Sequence, residues 1–254
     1  YTIDRLGIAF YKAEVEKRSG ISFQAAKDYK LTTRTDDFGW MQDKAGNWHY
    51  TVFVENGRVL DEGGYLLKTA LLEVSKTRRA VFRFTCNQNV ILSDIFPKDK
   101  ELIDSILEKY GVSKKTSDAS PLRKNSMACV ALSTCSLALA EGQRYLPSLV
   151  DKIEGVLIKY SLKNEPITIR MTGCPNGCAR PYISEIGLVG TAYGKYNLHL
   201  GADWEGTRLN KKFKENLNED SILTELDTLL GKFAKERKSK ESFGDFVTRL
   251  GILN

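Results

Sequence analysis

Apolar residues alternate or recur along this chain with periods that mark most of its elements. Leu6, Ala9, Phe10, Ala13 and Val15 lie among charged residues at helical spacing, which predicts an amphipathic helix over Ile3–Arg18 with Gly20 as its C-cap. Leu66, Leu67, Ala70, Leu71, Leu72 and Val74 predict a second over Tyr65–Lys76, and Asp99–Tyr110, stopped by Gly111, reads as a third. Further helices are predicted over Leu137–Arg144, Leu149–Tyr160 after Pro147, Asp220–Lys235 and Phe243–Ile252. Runs rich in β-branched and aromatic residues predict strands at Trp48–Glu55, Val81–Thr85, Asn89–Leu92, Ile167–Met171, Glu185–Gly190 and Tyr196–Gly201. Asn56-Gly57 is a turn signal, so Arg58–Leu60 reads as a returning strand. Lys30–Gly39 is polar and loop-like.

From residue 48 to residue 110 the order is β–α–β–β–α, that of a ferredoxin-like α+β half-module. Ser113–Lys124, polar and holding Pro121, reads as a linker. Beyond it the pattern changes to an α/β or α+β domain over residues 118–254, with no internal repeat and no low-complexity segment. The division expected is residues 1–45 as a helical and loop segment of a preceding domain, 46–117 as the half-domain, and 118–254 as the second domain.

The 254 residues leave room for one large or two modest cores, and no apolar run has the length of a membrane span. The opening Tyr-Thr-Ile-Asp-Arg has no charged n-region and apolar h-region, and no initiator Met, so a cytoplasmic protein whose natural start lies elsewhere is expected. The net charge of +6 suits a solvated basic surface or attraction for anions. No aromatic-interleaved basic stripe or nucleic-acid motif appears, so neither nucleic acid nor membrane is an expected partner.

Of five cysteines, four fall in two clusters: Cys129 and Cys135 in a C-x5-C, Cys174 and Cys178 in a C-x3-C. Four thiolates suffice for an iron–sulfur cubane. Zinc pairs prefer two to four intervening residues and fit the first gap poorly, yet spacing alone leaves iron–sulfur, zinc and unligated core cysteines all open. Cys86, at the end of the alternating run Val81–Cys86, reads as a buried structural thiol.

The residues around the cysteines carry a resemblance. Thr172-Gly-Cys-Pro-Asn-Gly-Cys178, Asn125-Ser-Met-Ala-Cys129, Gly187-Leu-Val-Gly190, Tyr196-Asn-Leu-His-Leu-Gly201, Gly206-Thr-Arg208, Lys214-Glu-Asn216 and Phe243-Gly-Asp-Phe246 together resemble the sulfite reductase haemoprotein family, enzymes of siroheme and a 4Fe–4S cluster. Tyr1-Thr-Ile-Asp-Arg5 and Lys12-Ala-Glu-Val-Glu16 extend it over nearly the whole chain. The resemblance implies an α+β fold: a ferredoxin-like half-module of the nitrite/sulfite reductase type, then an α/β cluster-binding domain. It implies that Cys129, Cys135, Cys174 and Cys178 hold the cluster, and that Cys178 also bridges to the siroheme iron as its axial ligand. It further implies a six-electron reduction of sulfite to sulfide, with a flavoprotein α subunit as donor. That partner would bind NADPH, since no dinucleotide G-x-G-x-x-G is found here. Siroheme nitrite reductase shares the cysteine arrangement, and a zinc-bound or cluster-free interaction module is the non-enzymatic alternative.

Asn176 and Gln88 match family positions near siroheme; a local Asx turn and a polar inter-strand turn are their plain alternatives. Arg83 and Arg170 are candidates to clamp a siroheme carboxylate, or are strand residues that simply face outward. Pro175 and Gly177 suit a tight turn that aims two thiolates at one point. His49 and His199 read as structural. Lys211-Lys212-Phe213-Lys214 reads as a solvated charge run that could also help dock a flavoprotein. The chain departs from its family in matching only the second of two pseudo-repeated halves plus the cluster domain. The N-terminal half, which supplies most sulfite-gripping cations, is the missing partner, so the fragment is expected to be inactive alone. Ala179 replaces a common Gly, and the match stops early at Gly251-Ile-Leu-Asn254.

Overall fold

The computed structural model describes residues 1–30, 32 and 34–253. The last residue of the early-ending C-terminal match and two positions of the Lys30–Gly39 loop lie outside the described residues. The chain forms two compact units, residues 1–32 and 33–254.

The first unit is a pair of helices, α1 (Thr2–Leu6) and α2 (Ile8–Ser19), where a single helix is expected. Gly7 interrupts them at φ 81°, and Gly20 ends α2 in the left-handed conformation, as its sequence position suggests. Neither helix buries a residue, and Ile8 and Phe10 stay about half exposed, so the apolar stripe has no core to face within this unit.

The second unit opens with the hairpin β1 (Gly39–Gln42) and β2 (Trp48–Val52). The hairpin partner of β2 therefore lies upstream. The Asn56-Gly57 signal instead makes a short 3-10 turn over Glu55–Gly57, with Asn56 at φ 49°, and Arg58–Leu60 is not a strand. The two-residue strands β3 (Asp61–Glu62) and β4 (Tyr65–Leu66) lead into α3 (Leu67–Thr77), then β5 (Val81–Phe84), β6 (Val90–Ile95) and α4 (Lys100–Lys109). The sheet order is β1-β2-β6-β5, all antiparallel. Tyr50, Val52, Leu92 and Ile95 pack with Leu67, Ala70 and Val74 of α3 and with Ile103 and Leu107 of α4. This is the helix-on-one-face arrangement that alternation permits.

The segment expected as a linker is ordered helix. α5 (Val112–Asp118) buries Val112 and Thr116, and α6 (Pro121–Lys124) buries Leu122. Ser120 caps α6 by accepting from the Arg123 N–H at 3.1 Å, with Pro121 at the first turn. Arg123 then ties Glu55 to Asp151 and Glu154.

The remaining elements are β7 (Ser126–Ala128), α7 (Leu146–Lys159), β8 (Ile169–Thr172), β9 (Ile186–Ala192), β10 (Lys195–Leu200), β11 (Lys211–Leu217), α8 (Glu219–Glu236) and α9 (Phe243–Arg249). They build a mixed sheet in the order β11-β10-β9-β8-β7, parallel across β7-β8-β9 and antiparallel beyond. Every residue of β7 and β8 is buried, as are the first five of β9. Helices α7, α8 and α9 supply Leu149, Ile153, Leu226, Leu230 and Phe246 to the core over Ile169, Met171 and Leu188. The charged run at residues 211–214 is the exposed edge strand β11, where Lys212 pairs with Glu215 and Lys214 with Glu225.

Residues 137–144, expected as helix, are irregular. Their N–H groups go elsewhere: Leu139 and Ala140 both donate to the Gly173 carbonyl, at 2.8 and 3.1 Å, and Gln143 donates to the Cys129 carbonyl at 2.9 Å. A distant chain segment has taken the donors that an i→i−4 ladder would use.

Candidate metal centre and its surroundings

Parallel pairing of β7 with β8 decides where the cysteines go. The register sets Ala128 opposite Met171, so both strands end at the same level and their following residues, Cys129 and Thr172-Gly173-Cys174, leave from one end of the sheet. The Cys129 N–H donates to the Met171 carbonyl at 3.1 Å. The Cys129 Sγ accepts from the Gly173 N–H at 3.2 Å and from Thr172 Oγ1 at 3.5 Å.

The loop carrying Cys135 folds back on this point. Ala131, at φ 50°, accepts from the Cys135 N–H at 2.8 Å, and the loop returns through the two bonds to the Gly173 carbonyl. Gly173 is needed for this approach: a Cβ there would lie 2.7 Å from both the Ala131 Cβ and the Ala140 carbonyl oxygen. The Cys174–Cys178 turn follows, with Gly177 at φ 69° and Tyr182 donating its hydroxyl to the Pro175 carbonyl at 3.1 Å.

All five thiols are free. Cys174 is buried, Cys129 and Cys135 are half-buried and Cys178 is exposed. As the side chains stand, no three His, Cys, Asp or Glu groups gather to hold a metal among the described residues. The donor set and the backbone suit a cluster in a different way. Two loops distant along the chain are hydrogen-bonded to each other, and one cysteine sulfur already accepts a peptide N–H, the bond by which proteins stabilise cluster thiolates.

The other candidates scatter. Asn176 is exposed, and its side chain makes no hydrogen bond among the described residues, so no Asx turn forms. Gln88 sits at φ 67° and donates Nε2 to the Ala128 carbonyl at 2.8 Å, while its Oε1 is buried without a partner. It thus covers the open edge of β7, one residue from Cys129. Arg83 faces solvent and pairs with Asp94 at 2.8 Å across the antiparallel sheet. Cys86 is exposed in a turn after β5, not buried; the alternation of its run ends at Phe84. His49 sits between Asp43, 3.2 Å from its Nε2, and the Asp94 N–H. His199 packs edge-on to Tyr182, and burial beside Lys212 holds its pKa down.

Arg170 differs from all of these. It is 4% exposed in the middle of β8, on the face opposite Ile169 and Met171. Gly187 lies beside it in register, and a Cβ there would meet the Pro181 carbonyl oxygen at 2.5 Å. Burial, with Arg180 and Arg34 nearby, pushes the guanidinium of Arg170 down to about 9. Sequence reading missed Arg34, Arg180 and Glu185. Arg34 donates to the carbonyls of Ile183 and Asp203 and to Thr168 Oγ1. Arg180 donates to the Cys86 carbonyl and Asn87. Glu185, fully buried, accepts from the Thr168 and Gly244 N–H groups at 2.8 and 3.0 Å, and burial raises it to about 7. No spacing rule marks these three. Their roles depend on segments brought together across the sheet.

Residues 41–110 match the model of the nitrite/sulfite reductase ferredoxin-like half domain. Over 253 residues, and the whole of this chain, the sequence is 77% identical to the sulfite reductase (NADPH) hemoprotein beta-component of Leptospira biflexa, covering 46% of that protein. It is 49% identical to the protein of the same name from Alteromonas mediterranea and 48% identical to that from Salmonella arizonae, covering 44% of each. Among solved structures, Mycobacterium tuberculosis NirA is similar with a TM-score of 0.78 and 26% identity, over 97% of this chain and 46% of that one. The chain thus spans about half the length of the curated relatives it matches, and over the whole of its own length it is similar to part of the sulfite reductase hemoprotein beta-component.

Proposed function

We propose that this chain is the cluster-holding part of an assimilatory sulfite reductase that converts sulfite to sulfide in the cytoplasm. The observation that supports this best is the convergence of the two cysteine loops at one end of β7 and β8 in a chain with this similarity. Cys129, Cys135, Cys174 and Cys178 would hold a 4Fe–4S cluster, and Cys178, the exposed one, would also ligate siroheme iron. Cluster and siroheme, when bound, supply the one-electron steps of a six-electron reduction that no side chain can store.

The chain's own residues do the rest. The Gly173 N–H stabilises the charge on the Cys129 sulfur, and the Gly173 carbonyl holds the Cys135 loop in place. Gln88 fixes the edge strand that presents Cys129. Asn176, exposed in the Cys174–Cys178 turn, is free to bond a siroheme carboxylate. Arg83 is engaged with Asp94, which leaves Arg170 the better placed of the two arginines to meet an anion. Sulfite binding, a flavoprotein α subunit as donor of electrons from NADPH, and the remaining half of the relatives' length would complete the enzyme. A division near residue 117 belongs to the same proposal, with the half-domain beginning upstream of the expected residue 46 because β1 (Gly39–Gln42) pairs with β2 in its sheet. A nitrite-reducing variant is the second reading, favoured by the half-domain model, whose description names nitrite beside sulfite reductase.

Anaerobic reconstitution with iron and sulfide tests the centre. The expected result is a cluster absorption band and an EPR signal on reduction, both lost in Cys174→Ser. Zinc uptake without iron overturns the reading. Sulfide release driven by reduced methyl viologen is expected to be absent from this chain alone; robust turnover would show that the anion-gripping residues lie within it.

A further inference from the structure

The mixed sheet buries a charge with no counter-charge among the described residues. Arg170 is 4% exposed, and its Nε and Nη1 meet no acceptor among them. Its electrostatic neighbours are two more cations, Arg180 and Arg34, and the thiol of Cys86; no carboxylate is among them. Arg34 has the carboxylates of Glu185 and Asp203 as electrostatic neighbours and its two Nη atoms are satisfied by Ile183, Thr168 and Asp203, but its Nε is likewise buried without an acceptor among the described residues. Arg170 and Arg34 both line one narrow cavity, which Lys124, Ser126 and Asn87 share. Asp36 also lines it, but that carboxylate is taken up by Thr85, Asn87 and Asn89 at 2.7–3.1 Å and does not reach either arginine as an ion pair.

A buried, unpaired guanidinium is among the costliest groups a protein can hold, and removing its partner is what makes breaking such pairs destabilising. A fold that retains one beside a polar cavity is missing the partner. We propose that Arg170 and Arg34 form a buried anion subsite on the face of the mixed sheet opposite the helical core. It takes an oxyanionic group: several oxygens on one small centre, matched to planar N–H donors. The cavity, about 20 Å³, has room for a group of only a few heavy atoms. The group is therefore either a free inorganic oxyanion of the sulfate or phosphate class, or a single carboxylate projecting from a larger ligand. The inference does not rest on the cluster reading, since none of these residues is a cysteine and the cluster-free chain tests it.

Thermal unfolding of the 254-residue chain, wild type against Arg170→Met, is the measurement, at constant ionic strength maintained with chloride. Without ligand, Arg170→Met is expected to melt at or above the wild-type temperature, because it removes an unpaired charge. Titrated sodium sulfate or phosphate is expected to raise the wild-type melting temperature saturably, with no such rise in the variant. Arg170→Lys keeps the charge but loses the planar donors, and should weaken the apparent affinity by about tenfold or more; it also serves if the methionine variant does not fold. Acetate in place of sulfate forms the second arm: a saturable rise with acetate alone assigns the subsite to a carboxylate. No saturable rise with either class, or an equal rise in the variants, overturns the proposal.

Discussion

The two sheets of the second unit solve the same problem differently. In the antiparallel sheet β1-β2-β6-β5, two local hairpins, β1-β2 and β5-β6, are joined through the β2-β6 pair, and its edge strands are open to solvent: β5 carries Phe84 at 82% exposure and Arg83 in a surface ion pair. In the mixed sheet, β7, β8 and β9 run parallel and are buried on both faces. Parallel strands need long crossovers, and their C-terminal ends fall on one side. That is why Cys129 and Cys174, 45 positions apart in sequence, leave from neighbouring points, while no loop of the antiparallel sheet carries more than Cys86. Titratable groups are also buried at the mixed sheet, Arg170 within β8 and Glu185 just before β9, where the antiparallel sheet keeps its charges outside. A hairpin sheet supports; a parallel sheet converges.

The contrast breaks first at β8. Ile169→Ala, fully buried under α7 and α8, should cost about 2–5 kcal/mol in chemical denaturation. A loss under about 1 kcal/mol would mean that the parallel strands are not the stabilising core.

Glu185 sharpens the contrast through pH. Its folded pKa of about 7 stands above the ordinary 4.5, so the unfolded state releases its proton first. The contribution to stability is therefore complete below pH 4.5 and lost as pH rises through about 7, up to roughly 3 kcal/mol in all. Glu185→Gln should flatten that part of the stability-against-pH curve; an unchanged slope would show that the carboxyl is solvated.

The smallest effect is expected at the open edge of the other sheet. Phe84→Ser should change stability by no more than about 0.5 kcal/mol, with its main consequence a lower tendency to associate, read by light scattering. A large loss would place Phe84 in a core that the structure does not show.

How much of this was legible depends on how local each interaction is. Helices α3, α4, α7 and α8 could be read to within a few residues, because each buries a continuous stripe against one core. The Ser120-Pro121 pair was an available signal for α6, hidden by the polar run around it. Strand β7 is three residues long and carries no alternation. Leu137, Leu139 and Ala140 mimic a helix, yet two of their N–H groups belong to Gly173.

The cysteine spacing, the Gly-rich turn and the family resemblance were all present in the order of residues, because ligand identity and turn chemistry are properties of short segments. The buried company of Arg170 was not. Arg34, Arg180 and Glu185 stand in polar stretches that any solvated loop would share, and only tertiary packing took them out of water. Whether a guanidinium meets solvent, a carboxylate or another cation is settled by segments far apart along the chain, so its energetic meaning belongs to the fold.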